Sequence, residues 1–202
     1  MTPRPRLLFV HGWNSKRGEA LRPLVKEMRA LGYEVKMLSS GRLFCYFRTK
    51  WMSRTMAKVW SGRVKPTDVL IGRSNGARIV WEMSFLTGTK VSTLILLNPA
   101  LERWATPGSG ITDCHVFHNP TDWAAWAARF VPWSDWGDMG RVGYKSLRDG
   151  WPPDPRMHNH KMPSGGHGPY ATDPQVARLY AVAISRAILR QPAPSIDLPP
   201  SA

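Results

Sequence analysis

The sequence predicts an α/β fold, a three-layer sandwich in which helices cover both faces of a mostly parallel sheet of about six strands. Apolar runs of strand length alternate along the chain with longer segments that carry apolar residues at helical spacing. Several of the strand runs are continuously apolar, as expected for strands that are buried on both faces. The length of 202 residues suits one domain with a sizeable core.

Six runs predict the strands of this sheet. Residues 7–10 (LLFV) form a short continuous apolar run, and residues 92–98 (STLILLN) give the clearest strand pattern. The alternating segment 156–162 (RMHNHKM) is the weakest candidate. The other predicted strands are 33–38, 69–71 and 113–119.

Apolar residues three and four positions apart predict four principal helices, at 19–31, 47–60, 75–87 and 174–190. Gly32 supplies a stop for the first of them. Each helix is expected to have an apolar side. These sets are Leu21, Leu24, Val25, Met28 and Leu31; Trp51, Met52, Thr55, Met56 and Val59; Ile79, Val80, Met83 and Leu86; and Val176, Leu179, Val182, Ile184 and Ile188.

The ends of the chain set the expected domain boundaries. Residues 1–191 are predicted to form a single domain, and the proline-rich tail 192–202 is predicted to be flexible. The apolar run near the start is too short for a signal peptide, which favours a cytoplasmic protein. No apolar run approaches the roughly 18 residues that a membrane-spanning helix needs.

Charge and cysteine content narrow the classes of partner and cofactor. The formal charge is +14 and the pI is about 10.5, so an anionic surface is a candidate partner. Cys45 and Cys114 are interpreted as buried thiols, because neither lies in a metal-binding pattern. His158 and His160 share a strand face but lack an evident third ligand. No metal and no cofactor are predicted.

A glycine-flanked serine joins a predicted strand to a predicted helix in the stretch Gly72-Arg-Ser-Asn-Gly76. At such a corner the side chain of Ser74 protrudes from the carboxyl edge of the sheet. The two glycines remove Cβ atoms that would clash in a tight turn. The free N–H groups of the new helix point to the same place, where an anion can develop. The alternative is a plain turn in which Ser74 only caps the helix.

This pentad resembles the nucleophile elbow of the α/β-hydrolase family. A second shared feature is a His-Gly pair after the first strand, here His11-Gly12 in LLFVHGWNS. The resemblance covers nearly the whole predicted core. It implies that Ser74 is the nucleophile and that the backbone N–H groups of Trp13 and Asn75 form an oxyanion hole.

The same resemblance implies a base and an acid in the chain order serine, acid, histidine. The family places its base in the loop before the last helix, which indicates His167, with His160 as the second candidate. The family's acid follows the penultimate strand, which indicates Asp122, with Asp135 and Asp138 as competitors. Asp122 also suits the N-cap of the helix that follows it.

These features predict a serine hydrolase that cleaves a carboxylic ester through an acyl-enzyme, similar to the small esterases and lipases of the family that lack a lid. The candidate substrate-binding residues are His11, Gly12, Arg73 and Trp123. Tryptophan-rich loops and the positive charge favour a lipid-like or envelope ester. Cleavage of a peptide or a thioester stays open.

Two other classes of function stay open as well. One is a catalytically inactive binding protein with the hydrolase fold. The other is a basic module that binds anions or nucleic acid, with the glycine-rich helix start as an anion cradle. Nucleic acid is disfavoured, because the pentad lacks the lysine of a phosphate loop and the chain has no recognisable nucleic-acid-binding signature.

Overall fold

The computed structural model describes residues 4–11, 21–38, 49–86, 91–124, 136–147, 150–162 and 166–189. Six strands and five α-helices are found in this part of the chain, and a helix follows every strand except β4. The strands are β1 (Leu7–Val10), β2 (Val35–Leu38), β3 (Val69–Arg73), β4 (Thr93–Leu97), β5 (Asp113–His118) and β6 (Met157–Lys161). The helices are α1 (Arg22–Ala30), α2 (Thr49–Ser61), α3 (Asn75–Leu86), the short α4 (Met139–Val142) and α5 (Pro174–Leu189).

The six strands form one sheet in the order β2-β1-β3-β4-β5-β6, and all five neighbouring pairs are parallel. The carboxyl ends of the strands therefore lie along one edge. Val10 of β1 pairs with Gly72, and Leu97 of β4 pairs with Arg73, so the end of β3 lies between β1 and β4 in the middle of the sheet. The predicted α/β architecture with a parallel sheet is confirmed.

Helices cover both faces of the sheet because successive strand residues point to opposite sides. In β1, Leu8 and Val10 belong to the core on the side of α2 and α3. Leu7 and Phe9 belong to the core on the side of α1 and α5. All four of these side chains are fully buried, which agrees with the continuous apolar run that predicted the strand.

The apolar sides expected for three helices differ in part from the buried sides. In α2 the buried positions are Ser53, Ala57 and Trp60, whereas Trp51 and Val59 are exposed. The small residues Ser53 and Ala57 are compatible with close packing of α2 against its neighbours. We infer that this packing, and not the position of the larger apolar residues, determines which side of α2 is buried. Two other predicted sets each contain one exposed apolar residue, Leu86 in α3 and Leu179 in α5.

An ion pair joins the starts of two adjacent strands. Arg6 donates to both carboxylate oxygens of the fully buried Asp68, at 2.8 and 2.7 Å. The Lys65 backbone N–H donates to the same carboxylate. The hydrogen bond to Asp68 raises the pKa of Arg6 above its usual value. The contact therefore holds β1 and β3 together at the edge opposite the predicted site.

Some predictions fall on residues outside the described ranges: Gly12, Trp13, Cys45, Asp135 and the tail 192–202. The other cysteine, Cys114, is fully buried in β5 as predicted, and burial raises its pKa above the usual range. No helix in the described ranges is long and apolar enough to cross a membrane.

Candidate active site

Ser74 occupies a strained turn between β3 and α3. Its φ of 54° lies in the left-handed region that non-glycine residues rarely adopt. The Ser74 N–H donates to the Leu97 carbonyl at 2.9 Å, and the Ser74 carbonyl accepts from Ala77 at 3.0 Å and Ala100 at 3.2 Å. These bonds hold the turn on both sides, so the serine stands at the carboxyl edge in a fixed backbone conformation.

The two glycines of the pentad are required by close backbone approach. A Cβ at Gly72 would lie 2.5 Å from the Cα of Ala77 and from a Val80 methyl group. A Cβ at Gly76 would overlap the Val10 carbonyl oxygen and lie 2.8 Å from the His11 carbonyl carbon. The corner is therefore packed against both α3 and the end of β1, as the sequence predicts.

Asp122 follows β5 and is 1% exposed. Its carboxylate oxygens both lie 2.9 Å from Nδ1 of His167, and Oδ2 accepts from the Asn98 side-chain amide at 3.2 Å. The structure thus brings together the acid and the base that the sequence indicates. A carboxylate at this position favours the imidazole tautomer with its proton on Nδ1, which leaves Nε2 free to accept a proton.

Polar contacts from the end of β5 hold the loop that carries His167. The Asn119 side-chain amide donates to the Gly166 carbonyl at 3.1 Å, and the Gly166 N–H donates to Thr121 Oγ1 at 3.3 Å. Gly166 and Gly168 flank the histidine with φ values of 76° and 93°. Both values favour glycine, so the glycine-rich sequence allows the chain to present His167 between them.

Arg73 contacts the same loop from the elbow. Its Nη2 donates to the His167 carbonyl at 2.9 Å, and its guanidinium carbon lies 5.7 Å from the ring centroid of the buried Tyr170. This bond ties the histidine loop to the residue that directly precedes Ser74. Burial raises the pKa of Tyr170 to about 12, and the positive charge of Arg73 opposes that rise.

The remaining predicted site residues take different positions. Asn75, the first residue of α3, and His11, after β1, are both buried, at 3% and 2% exposure. Trp123 is 66% exposed, and its ring reaches within 3.4 Å of the position that a Cβ on Gly166 would occupy. Trp123 therefore stands at the rim beside the histidine loop.

The competing candidates for base and acid are engaged elsewhere. His160 lies on β6, where its Nε2 is 2.9 Å from Nδ1 of His115 and its ring stacks on Phe117. Asp138 forms an ion pair with Arg103. Neither side chain contacts the pair formed by Asp122 and His167 in the contacts found among the described residues.

Three supporting residues were not predicted from the sequence. Asn98, Asn119 and Thr121 hold the acid and the histidine loop through the contacts given above. Asn98 has a φ of 44°, a second strained residue at this edge. The available signal was position, because polar residues that directly follow buried strands β4 and β5 lie at the carboxyl edge.

A surface cavity of about 410 Å³ lies between the segment after β4 and the segment after α4. It combines exposed aromatic and aliphatic side chains with two cations. Its described lining is Arg103, Trp104, Lys145, Ser146, Leu147, Gly150 and Trp151. Trp104 comes four residues after Ala100, and the Ala100 N–H donates to the Ser74 carbonyl. At most about 14 Å of chain joins Trp104 to Ala100.

Metal-ligand clusters are not found in the described part of the chain: no group of three or more His, Cys, Asp or Glu side chains there could hold a metal ion.

Comparison with known proteins gives structural neighbours alone. No protein-family model and no curated protein matches the chain. It is similar to the mouse alpha/beta hydrolase domain-containing protein 10, at 13% identity over 94% of this chain and 91% of that one, with a TM-score of 0.59. The chain has the α/β-hydrolase fold.

Two further structures with the α/β-hydrolase fold extend this likeness. An esterase domain of a Rhodothermus marinus protein shows 13% identity over 94% of this chain and 88% of that one, with a TM-score of 0.57. The pyrethroid hydrolase PytH shows 14% identity over 93% of this chain and 98% of that one, with a TM-score of 0.57. Identity at this level shows the fold alone.

Proposed function

We propose that this protein is a serine hydrolase that cleaves a carboxylic ester through an acyl-enzyme. The observation that carries the proposal is the hydrogen-bonded pair of Asp122 and His167, in which His167 lies on a loop that is tied to the residue before Ser74. A buried carboxylate, an imidazole and a serine on a strained turn are the three groups that acyl transfer by this route requires.

The first half of the reaction forms the acyl-enzyme. His167 Nε2 takes the hydroxyl proton as Ser74 Oγ attacks the carbonyl carbon of the ester, and Asp122 stabilises the imidazolium. When the tetrahedral intermediate collapses, the bond from carbon to the alkoxy oxygen breaks. The imidazolium gives its proton to the leaving alcohol, which restores neutral His167.

The second half uses water as the nucleophile. His167 takes a proton from the water as its oxygen attacks the acyl carbon, and then returns a proton to Ser74 Oγ as the acid leaves. We assign the stabilisation of the negative charge on the carbonyl oxygen to hydrogen bonds from the backbone N–H groups of Asn75 and Trp13. Removal of one such donor typically costs about 100- to 1000-fold in kcat.

The substrate is proposed to be a bulky, lipid-like or envelope ester. Trp104 lines the cavity together with Trp151 and follows Ala100 by four residues, and the Ala100 N–H donates to the Ser74 carbonyl. Trp123 is exposed beside the histidine loop. Indole rings offer large apolar faces, and Lys145 adds a cation for an anionic group. A short acyl ester would leave these surfaces unused.

Labelling with a fluorophosphonate probe tests the proposed chemistry. We expect the protein to react at Ser74, as mapped by peptide mass spectrometry, and to hydrolyse a short-chain nitrophenyl ester. Ser74→Ala should abolish both activities, and His167→Ala should reduce both by several orders of magnitude. Ser109→Ala changes an exposed serine and serves as the matched control.

A folded wild-type protein that neither reacts with the probe nor hydrolyses any ester in a panel of acyl lengths would refute this proposal. That result would favour a binding protein with the hydrolase fold.

A further inference from the structure

We propose that Arg73 is a positioning residue that fixes the general base relative to the nucleophile. This inference rests on the proposed function, and it gives Arg73 a different role from the substrate contact that the sequence indicates. Among the described residues, the Arg73 side chain contacts neither the Ser74 hydroxyl nor the His167 imidazole. It acts through the backbone of His167, to which it donates a charge-assisted hydrogen bond of 2.9 Å.

The position of Arg73 in the chain makes this contact a direct link. Arg73 is the last residue of β3, and its backbone continues into the turn of Ser74. The register with β4 fixes the backbone of Arg73, and the bonds of Ser74 fix the turn. One side chain, that of Arg73, therefore links the turn of the nucleophile to the loop of the base. The two linked residues, Arg73 and His167, are 94 positions apart in the chain.

The histidine loop is shaped to receive the guanidinium. A Cβ on Gly168 would lie 2.6 Å from Nη2 and 3.0 Å from Nε of Arg73, so only glycine lets the guanidinium pack on this backbone. Tyr170, two residues further, is fully buried and offers its ring at 5.7 Å. On the side of the loop, the guanidinium of Arg73 therefore contacts the carbonyl oxygen of His167, the backbone of Gly168 and the ring of Tyr170.

The same packing limits the donors that Arg73 can offer to a substrate. Its Nη2 is committed to the His167 carbonyl, and its Nε is shielded from solvent, with no hydrogen-bond partner in the described part of the chain. A group that recognises an anionic substrate needs donors that the substrate can reach.

Contacts on the other side of the loop complete the constraint. Asn119 and Thr121 hold Gly166, and Asp122 holds the imidazole itself. These residues all follow β5, so in the described part of the chain the bond of Arg73 is the direct tie from the elbow to the histidine loop. The other connection is indirect and runs through Asn98, which donates to Asp122 and lies between Leu97 and Ala100, both bonded to Ser74. Loss of Arg73 should therefore leave the acid–base pair intact and loosen its distance to Ser74.

The test compares Arg73→Ala, Arg73→Lys and the matched control Arg178→Ala, which removes an exposed arginine of α5. The readouts are kcat and KM on a neutral and on an anionic nitrophenyl ester, and the rate of fluorophosphonate labelling. We expect Arg73→Ala to lower kcat and the labelling rate by about 10- to 100-fold, because misplacement of a catalytic group by about 1 Å costs this much. KM should stay unchanged for both esters.

Rescue separates positioning from general folding. Added guanidinium ion at a non-denaturing concentration should restore part of the labelling rate of Arg73→Ala, and should not affect His167→Ala. Arg73→Lys, which keeps a cation and one donor, should lie between the wild type and Arg73→Ala. Circular dichroism and the melting temperature report whether each variant is folded.

Three outcomes would overturn the inference. A rise in KM for the anionic ester alone, with kcat unchanged on the neutral ester, would assign Arg73 to substrate binding. Unchanged kinetics and labelling in folded Arg73→Ala would remove any role in positioning. If Arg73→Ala does not fold, the test rests on Arg73→Lys, which lacks the guanidinium group. Wild-type kinetics in Arg73→Lys would then count against the inference.

Failure of the proposed function is visible separately. If the folded wild type is not labelled, the hydrolase proposal fails, and the link is judged by the imidazole NMR signals of His167. A single sharp set in the wild type that broadens or splits in Arg73→Ala supports the link, whereas identical spectra refute it.

Discussion

Asp122 and His167 lie 45 positions apart in the chain, yet both carboxylate oxygens of Asp122 are 2.9 Å from Nδ1 of His167. The acid is fully buried, while the imidazole keeps 18% of its surface exposed. One side of the ring is thus held by the protein and the other can meet a substrate. This is the asymmetry that a general base needs.

Replacement of Asp122 by asparagine should leave the fold in place and lower kcat by about 1000- to 10,000-fold, because an amide N–H at this position favours the wrong imidazole tautomer. Steady-state kinetics on a nitrophenyl ester measure the effect. Asp173→Asn, at the exposed start of α5, is the matched control and should keep full activity. Equal activity of the two variants would contradict the role given to Asp122.

Gly76→Ala should destabilise the protein by several kcal/mol, because the new methyl group would overlap backbone atoms of Val10 and His11 that cannot rotate away. Gly62→Ala is the control, since no atom lies within 4 Å of a Cβ there. Its effect on the free energy of unfolding, measured by urea denaturation, should stay within about 1 kcal/mol. Similar losses in both variants would show that the elbow is not closely packed.

Arg6→Met should cost about 3–5 kcal/mol of unfolding free energy, since it leaves the fully buried carboxylate of Asp68 without its main cation. The exposed pair of Arg54 and Glu82 offers a comparison at 3.4 Å, with Arg54 69% exposed. Arg54→Met should cost no more than about 1 kcal/mol. A small effect at both positions would indicate that solvent reaches Asp68.

Acid should weaken the fold through His160. Burial first, and then the positive charges of His158 and His118, lower its pKa from 6.5 to about 4. The unfolded chain therefore binds this proton at higher pH than the folded one. The contribution to stability is complete above about pH 6.5 and is lost as the pH falls towards 4.

His160→Phe should reduce this pH dependence, as measured by urea unfolding midpoints at about pH 7.5 and about pH 5. The ring would still stack on Phe117, while the neighbouring groups His115, His158 and Asp113 remain on the same face. His158→Gln, at a more exposed position, should keep most of the slope because burial is the largest cause at His160. An unchanged slope in His160→Phe would assign the acid effect to other groups.

Trp104→Ala should raise KM for a long-chain or bulky ester several-fold and leave kinetics on a nitrophenyl acetate unchanged. The reason is that the cavity beside Trp104 would be filled by a large substrate only. Trp51→Ala, which removes an exposed tryptophan of α2, is the control. Equal effects of Trp104→Ala on both esters would exclude this cavity from substrate binding.

The sequence predicted the corner at Ser74 because several local requirements agreed there. A strand pattern, two glycines and a helix pattern meet within a few residues, and the structure confirms the packing that makes each glycine necessary. His167 and Asp122 could be named because a resemblance indicated their places in the chain order. In the structure, Nδ1 of His167 lies 2.9 Å from the carboxylate of Asp122.

Other features depend on contacts between distant segments and could not be read from spacing. The direction of the Arg73 side chain is set by a carbonyl 94 positions away. The sequence predicts Trp51 on the buried side of its helix, but Ser53 and Ala57 are buried instead and Trp51 is exposed. Asn98 and Asn119 follow buried strands, yet their partners become apparent only after the strands are assembled.

The backbone of Ser74 is hydrogen-bonded to Leu97 and Ala100 on the neighbouring strand and its continuation, in the middle of the sheet. Heating that displaces this serine must first separate β3 from β4, and that separation is the cooperative melting of the whole domain. Displacement of Ser74 and global denaturation should therefore share one thermal transition, and fraying at the outer strands should not displace Ser74 at a lower temperature.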